Sequence, residues 1–336
     1  MKRLLLLSGS AIGLAAFALP WARSSTAQDQ FPYETPWEAT RRVFESVGAG
    51  FRAIAHGPND RYYILTSPGP AVQIYDDSGN RVGQIPNATA AAAKGVALVF
   101  GEWLDVDAQG RVAVSDRGAN AVKIYGADGS LTATIPERGP APVALLPEGE
   151  VAVGTSEAEH VVTAYDLAGR LAREYGDPED ISDRVDINRQ VNSGQLAADA
   201  EGNTYFAFDF LPEPTVRKFD HAGYLALEIS LKTLEFQPAA QAARRVIARA
   251  GQGVVVLHRI VSALGVDRQR QEVWLAMGTL LLHFDKDGQR VGTYRTYMPR
   301  GARLEAASIL VEPGRLLIGA DPQGIYEFII PSKPTP

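Results

Sequence analysis

The 336-residue sequence contains no cysteine, no G-x-S-x-G nucleophile motif, no glycine-rich phosphate loop and no long run of lysine or arginine. Without a thiol the chain has no disulfide, no cysteine nucleophile, no iron–sulfur ligands and no lipoprotein anchor. The formal net charge is −6, and proteins that bind nucleic acid usually carry a basic face. Nucleic acid is therefore not an expected partner.

The N-terminal segment has the three parts of a bacterial-type signal peptide. Lys2 and Arg3 precede an apolar stretch over 4–19, Pro20 interrupts it, and small residues at 25–27 provide a cleavage site. The alternative is a retained anchor, because the stretch is nearly long enough to span a bilayer. No later apolar run approaches that length, so we predict a periplasmic or secreted protein with no membrane contact after cleavage.

One phrase recurs five times: an apolar residue, an aromatic residue, usually Asp, two spacers and a glycine. Glycine adopts a positive φ at little cost, so the phrase is typical of a tight hairpin turn. The shortest spacing, from Gly129 to Gly169, matches a four-stranded propeller blade of about 40 residues. The five copies lie at 74–79, 124–129, 164–169, 218–223 and 283–288.

A second hairpin precedes each of these, as at 104–116 and 196–207. A sixth hairpin of this second kind lies at 312–314 with no outer phrase after it, so the chain holds six inner hairpins but only five outer ones. The last unit, 306–330, has room for three strands, and 42–47 near the mature N-terminus is predicted to be extended. We predict an all-β fold, a six-bladed β-propeller in which an N-terminal strand completes the last blade.

The predicted organisation is a signal peptide at 1–27, an N-terminal extension at 28–38, the propeller at 39–331 and a C-terminal tail at 332–336. The segment 104–129 resembles an NHL repeat, with an Asp-x-x-Gly turn, a Val-Ala-Val strand and a closing Asp-Gly. The resemblance implies a six-bladed propeller. Such propellers serve as scaffolds, ligand binders, lyases and lactone hydrolases, so it leaves the function open.

Long insertions fall in the links between blades, at 87–100, 177–193 and 231–252. Insertions gathered on one face of a repeat array mark its binding face. The third insertion contains a predicted helix over 239–249 that stops at Gly251. This helix either covers the channel as a lid or packs on the rim.

We predict that one set of residues forms the ligand-binding face at the channel mouth: Arg52, Glu102, Trp103, Asp116, Arg117, Asn120, Asn192, Asp209, Glu305 and Asp321. Trp103 and the aromatic residues at 205–210 either line this mouth or form wedges between blades. An aspartate that follows a strand also commonly caps the next turn. Arg52 and Glu102 occupy equivalent positions in neighbouring blades, so they could instead pair with each other.

A divalent cation such as Ca²⁺ is a further possibility, because several of these side chains offer oxygen ligands: Glu102, Asp116, Asn192, Asp209 and Glu305. The arrangement resembles the gluconolactonase-like propellers, which hold such an ion with Glu, Asn and Asp. Asp105 and Asp107 imitate part of a calcium-binding loop, but the repeat already explains both as strand and turn residues. The histidines fall at unlike places in their repeats, so zinc held by histidines is not indicated.

The expected function is binding of a small-molecule ligand or an envelope protein by a monomer, without catalysis and without a cofactor. One alternative is a divalent-metal-dependent hydrolase or lyase of the gluconolactonase-like or NHL-lyase-like type. The other is a structural module of an envelope complex.

Overall fold

The structure is a computed structural model that describes residues 34–139, 141–156, 159–233, 236–249, 253 and 255–330, and the backbone of 23–25. The first thirteen strands are β1 (Arg23–Ser25), β2 (Thr35–Glu38), β3 (Arg41–Val43), β4 (Phe51–Gly57), β5 (Arg61–Thr66), β6 (Val72–Tyr75), β7 (Arg81–Ile85), β8 (Gly101–Val106), β9 (Val112–Asp116), β10 (Ala121–Tyr125), β11 (Leu131–Pro136), β12 (Val143–Leu146) and β13 (Glu150–Gly154).

The second half of the chain continues the same pattern. Its strands are β14 (Val162–Asp166), β15 (Leu171–Tyr175), β16 (Gly194–Ala198), β17 (Thr204–Phe208), β18 (Thr215–Phe219), β19 (Leu225–Ser230), β20 (Ala263–Val266), β21 (Val273–Met277), β22 (Leu280–Phe284), β23 (Arg290–Tyr297), β24 (Ser308–Glu312), β25 (Arg315–Ala320) and β26 (Gly324–Ile329). The helices are α1 (Ala88–Ala91), α2 (Val185–Val191) and α3 (Gln237–Ala248), with a 3-10 turn at Arg117–Ala119.

These strands form six sheets arranged as the blades of a ring, as predicted, and they are antiparallel except for the added outer strands β1 and β2. Blades 1, 2 and 3 are β4–β7, β8–β11 and β12–β15, and blades 4, 5 and 6 are built on β16–β19, β20–β23 and β24–β26. The inner strands contact one another in the circular order β4, β8, β12, β16, β20, β24 and back to β4. We call the face on which the links between blades enter the inner strands the upper face, and the opposite one the lower face.

The hairpin turns follow the predicted chemistry. In blade 3, Asp166 accepts hydrogen bonds from the backbone N–H groups of Ala168 and Arg170, and Gly169 has a φ of 80°. The same aspartate pattern recurs at Asp107, which accepts from the N–H groups of Gln109 and Arg111. Asp107 therefore builds a turn, in agreement with the interpretation of this segment as hairpin rather than calcium loop.

The N-terminal segment closes the ring. Strand β3 pairs antiparallel with β26 and becomes the outer strand of blade 6. The predicted strand over 42–47 is wrong in its bounds, because Phe44 has a φ of 50° and ends the strand there. Arg41 Nε donates to Glu327 Oε2 at 2.7 Å across the new pairing. The closure by an N-terminal strand is confirmed.

A buried polar network on the lower face joins blade 6 to blade 1. Arg315 donates to Glu312 at 2.7 Å, to Glu327 at 2.7 Å and to the hydroxyl of Tyr62 at 2.7 Å. His56 Nδ1 lies 3.1 Å from Glu312 Oε1. The carboxylates of Glu312 and Glu327 are largely buried, and a buried charge needs an opposite charge beside it. Arg315 supplies that charge at the join between the first and last blades.

A second N-terminal strand, β2, extends blade 5 by pairing parallel with β23. Its Trp37 is buried, with its ring centroid 4.8 Å from that of Tyr294, 5.8 Å from that of Trp274 and 5.4 Å from that of Phe328. The segment predicted as an extension at 28–38 therefore belongs to the propeller from Thr35 onward. Residues 28–33 and the predicted tail at 332–336 lie outside the described residues.

Strand β1 pairs parallel with β19 at the outer edge of blade 4. It lies within the predicted signal peptide, whose other residues are outside the described part of the chain. Among the described residues, the structure contains no helix long and apolar enough to cross a membrane.

The three predicted insertions are confirmed as links that carry the helices. Helix α1 lies between blades 1 and 2, α2 between blades 3 and 4, and α3 between blades 4 and 5. Ile247 of α3 packs on the apolar cluster that contains Leu211 and Phe208 of blade 4, and Arg244 pairs with Glu213 on the same blade. Helix α3 therefore packs on the rim, and the lid interpretation is not supported. Gly251, the predicted stop, lies outside the described residues.

Apolar side chains fill the wedges between neighbouring blades. Tyr63 and Leu65 of blade 1 pack in one cluster with Val112 and Val114 of blade 2. Phe206 and Phe208 meet edge to face with centroids 4.9 Å apart and are fully buried. Together with Tyr205, they form core rather than a ligand-binding mouth.

Candidate functional site

A cavity of about 360 Å³ runs along the ring axis and is lined by residues of all six inner strands. Small residues keep it open, among them Ala55 and Ala197. Leu264 and Leu310 give its middle an apolar wall. An enclosed, mostly apolar space with a few polar groups is the usual form of a small-molecule site.

An ion pair crosses the cavity near its lower end. Arg268 Nη2 donates to Asp105 Oδ1 at 2.6 Å, from blade 5 to blade 2, which stand opposite each other in a six-membered ring. Asp105 also accepts from the backbone N–H of Leu145 at 2.7 Å and of Val106 at 2.8 Å. Burial raises the pKa of Asp105, and the Arg268 guanidinium opposes that rise. The pair limits the depth to which a ligand entering from the upper face could reach.

The upper end of the cavity carries four polar side chains, Arg52, Trp103, Gln195 and Ser308. The indole Nε1 of Trp103 is buried and has no hydrogen-bond partner within the described residues. Gln195 Nε2 donates to Asp209 Oδ1 at 3.1 Å and to the carbonyl oxygen of Ser262 at 3.2 Å. These groups, together with the Asp105–Arg268 pair, His56 and Glu312 at the lower end, give the cavity hydrogen-bonding groups at both ends of its apolar middle.

Asp116 does not face a ligand. Its carboxylate accepts from the backbone N–H groups of Val99 at 3.0 Å and Phe100 at 2.8 Å, and it pairs with Lys123 Nζ at 2.8 Å. Burial opposes ionisation, but Lys123 and the two N–H groups together lower the pKa of Asp116. Asp116 therefore anchors the link that enters blade 2 and does not line the cavity.

Asp321 plays the same structural part at the join of the ring. It accepts from the backbone N–H of Gly50 at 2.7 Å, and its second oxygen lies 3.2 Å from Arg52 Nη1. Arg52 therefore pairs with Asp321, and the alternative that it pairs with Glu102 is wrong. Asp116 ends the second strand of its blade and Asp321 directly follows the second strand of its own, and each fixes the chain that enters an inner strand.

Asp209 occupies the corresponding position in blade 4 and, like Asp116, is fully buried. Arg259 Nη2 lies 2.9 Å from its Oδ2. Burial raises the pKa of Asp209 to about 6, against the opposing effects of Arg259 and the Gln195 hydrogen bond. The Asp209 carboxyl group stands one side chain behind the wall of the cavity, because Gln195, which lines the cavity, donates to it.

The remaining predicted residues are spread over the upper face. Glu102 Oε1 lies 3.1 Å from Arg117 Nε, and the Arg117 guanidinium lies 4.8 Å from the centroid of the Phe100 ring. Asn120 ends the 3-10 turn in the left-handed conformation with a φ of 48°. Arg117 and Asn120 are therefore rim residues at the surface of blade 2.

Asn192 and Glu305, predicted at the channel mouth, do not line the cavity. The buried Asn192 side chain accepts from the backbone N–H of Glu179 and donates to the carbonyl oxygens of Glu179 and Asn188. It thus fixes the link that carries α2. Glu305 is exposed in the link before blade 6.

Geometry does not support the predicted metal site. Within the part of the chain that the structure describes, no three histidine, aspartate or glutamate side chains converge as ligands. Of the five proposed ligands, Asp116, Asp209 and Glu102 pair with cationic side chains. Oxygen ligands already neutralised by an arginine or lysine are poor ligands for Ca²⁺.

Sequence reasoning missed Gln195, Asp105 and Arg268 as cavity residues. A signal existed for Gln195, because Arg52, Glu102 and Gln195 are each the second residue of an inner strand. None existed for the Asp105–Arg268 pair, whose members belong to opposite blades.

The fold defines the chain as a six-bladed β-propeller, and comparison with solved structures agrees. A streptogramin B lyase superposes with a TM-score of 0.53 at 12% identity over 85% of each chain. A virginiamycin B lyase from Staphylococcus aureus gives 0.50 at 11% identity over 85% of this chain and 86% of the other. A gluconolactonase from Xanthomonas campestris gives 0.51 at 16% identity over 86% and 89%. No family model and no curated protein sequence matches the chain. At these identities the similarity shows the fold alone.

Proposed function

We propose that the chain is an exported propeller of the NHL-like type that binds a small molecule in its axial cavity without transforming it. The observation that carries this proposal is the cavity itself, about 360 Å³ between six inner strands. Binding sites of this kind combine an apolar wall with a few placed polar groups. Leu264 and Leu310 supply the wall, and Arg52, Trp103 and Gln195 supply the polar groups.

The charges around the cavity favour binding over chemistry. Among the charged groups that line the cavity, Asp105 is paired with Arg268 and Arg52 with Asp321. A general base must be free to take a proton from its substrate, and a nucleophile needs such a base beside it. Paired groups of this sort fix the shape of a site.

The polar groups define the chemistry of the ligand. Arg52 and the Trp103 indole are hydrogen-bond donors, and neither guanidinium nor indole N–H can accept. The expected ligand therefore has an apolar body with a carboxylate or carbonyl oxygen at one end. Its apolar part lies toward Leu264, and its oxygen lies toward Arg52 and Trp103.

Ligand retention tests this proposal directly. The purified protein is incubated with a small-molecule extract of its source cells, separated by gel filtration, denatured and analysed by mass spectrometry. We expect one compound in stoichiometric amount with the wild type. Ala197→Met, which fills the cavity, should lose it, and Ala222→Met on an exposed turn should keep it. No retained compound, or equal retention by Ala197→Met, would contradict the proposal.

A second candidate is a hydrolase or lyase, and Asp209 is the observation that favours it. A buried carboxyl group with a pKa of about 6 is matched to acid–base work near neutral pH. Turnover of a lactone or of a streptogramin B by the wild type, lost in Asp209→Asn, would establish this candidate over the first. Stoichiometric calcium, zinc or manganese in the purified protein would extend it to a metal-dependent enzyme.

Export is the remaining part of the proposal. Residues 1–27 carry the pattern of a signal peptide, and their removal would take β1 from blade 4 and leave it four-stranded like blades 1 to 3. N-terminal sequencing of the protein from a periplasmic or secreted fraction should begin at Gln28. An intact Met1 in a membrane fraction would replace export with a retained anchor.

A further inference from the structure

A cleft of about 500 Å³ separates α3 from the rim of blade 4. Its apolar lining comes from three segments that pack in one cluster: Ile181 in the link before α2, Leu211 in blade 4 and Ile247 on α3. This cleft lies outside the axial cavity and shares no lining residue with it.

Each carboxylate that lines the cleft has a cationic partner, with two arginines serving three carboxylates. Arg217 pairs with both Glu179 and Glu228, at 2.9 Å to the latter. Arg244 pairs with Glu213. The acidic side chains of the cleft therefore have cationic partners within the fold.

Three cations in or beside the cleft have no partner among the described residues: Lys232 lines the cleft, and Arg245 and Arg249 directly follow its lining residues Arg244 and Ala248 along the chain. Lys232, Arg245 and Arg249 are exposed, and their side chains form no ion pair or hydrogen bond with another residue in the described part of the chain. The whole of α3, Gln237–Ala248, contains no acidic residue. In a chain of net charge −6, this rim is a local positive surface.

Helix α3 is also poorly covered. Ala240 is its one buried residue, and Val246 beside Arg245 is 39% exposed. Arginine is enriched at protein interfaces, whereas helices that lie on membranes usually present Trp, Phe or Leu. No aromatic residue lies within α3, so its composition favours a protein partner over a lipid surface.

We propose that the α3 rim and its cleft form a docking surface for an acidic segment of a partner protein that carries a large apolar side chain. The apolar side chain occupies the cleft between Ile181, Leu211 and Ile247. Carboxylates on either side of it pair with Arg245 and Arg249. An anchor in a pocket surrounded by charged contacts is the general form of an interface hot spot.

The test uses a fluorescein-labelled oligoglutamate peptide with one central leucine, and fluorescence anisotropy measures its binding to the mature protein. We expect saturable binding that weakens as salt is raised. Arg245→Glu/Arg249→Glu should weaken it about tenfold or more, because like charges then face the peptide. The matched double reversal Arg138→Glu/Arg303→Glu changes two exposed arginines elsewhere and should leave the affinity within about twofold.

A second pair of variants tests the cleft separately from the charge. Ala248→Trp fills the cleft and should weaken binding of the leucine peptide but not of plain oligoglutamate. Ala242→Trp, exposed on the same helix but outside the cleft lining, should change neither. Equal binding by wild type and Arg245→Glu/Arg249→Glu would overturn the proposal. So would binding to equimolar phosphatidylglycerol–phosphatidylcholine vesicles without binding to either peptide.

Discussion

Phe44→Ala tests whether the N-terminal segment holds the ring together. Phe44 is 6% exposed, and its ring centroid lies 5.0 Å from that of Tyr62 and 5.6 Å from that of Tyr75. It thus packs the end of the closing strand of blade 6 against blade 1. Removing a buried phenylalanine ring typically costs about 3–5 kcal/mol.

This loss is a large part of the total, since domains are stable by about 5–15 kcal/mol. Urea unfolding followed by far-UV circular dichroism should therefore show a clearly lower midpoint for Phe44→Ala. Val82→Ala is the matched control, because Val82 is 49% exposed on the outer strand of blade 1 and should shift stability by less than about 0.5 kcal/mol.

Deletion of residues 28–48 extends the test to the whole closing segment. It removes β2 and β3 and leaves Glu327 with Arg315 alone as a cationic partner. We expect a protein that no longer unfolds cooperatively at the wild-type midpoint, whereas a chain that begins at Glu34 keeps it. An unchanged midpoint for Phe44→Ala and for the deletion would refute closure by the N-terminus.

Two further predictions concern single positions. Gly129 has a φ of 80° and a side chain there would meet the backbone nitrogen of Asn87 at 3.1 Å, so Gly129→Val should destabilise by about 1–3 kcal/mol. Gly83→Val should not lower the stability, because a side chain there would make only ordinary van der Waals contacts. Equal urea midpoints for the two variants would contradict the turn geometry at Gly129. Burial raises the pKa of Asp209 from 3.8 to about 6, so the folded state binds a proton on this carboxyl group more tightly than the unfolded chain does. This difference stabilises the fold fully below pH 3.8, and the stabilisation is lost as the pH rises through about 6. The stability of the wild type relative to Asp209→Asn should therefore increase from pH 7 to pH 4, and a flat difference would remove the pKa argument.

The repeat made the architecture predictable because each turn needs a local chemistry that the sequence displays. An aspartate followed by a glycine of positive φ, as at Asp166 and Gly169, specifies a hairpin within a few residues. The missing outer strand of blade 6 then required a strand from elsewhere. The pairing of β2 with blade 5 had no such signal, since Trp37 finds its aromatic neighbours only in the folded ring.

The candidate site was predictable in place but not in detail. The upper ends of the inner strands follow from the repeat, and Arg52 and Trp103 line the cavity there, whereas Glu102 pairs with Arg117. Which carboxylates face a ligand depends on the partner each one finds. Asp116 and Asp321 find backbone N–H groups of incoming links, and such contacts between distant residues leave no pattern in the sequence.

Tryptophan fluorescence tests the central claim, binding in the axial cavity, most directly. Trp103 lines the upper part of the cavity, whereas Trp37 and Trp274 are buried between blades 5 and 6. Titration of the wild type with its retained compound should change the emission intensity in a saturable way, and Trp103→Phe should lose that change. An emission change that persists undiminished in Trp103→Phe would place the ligand elsewhere and contradict the account.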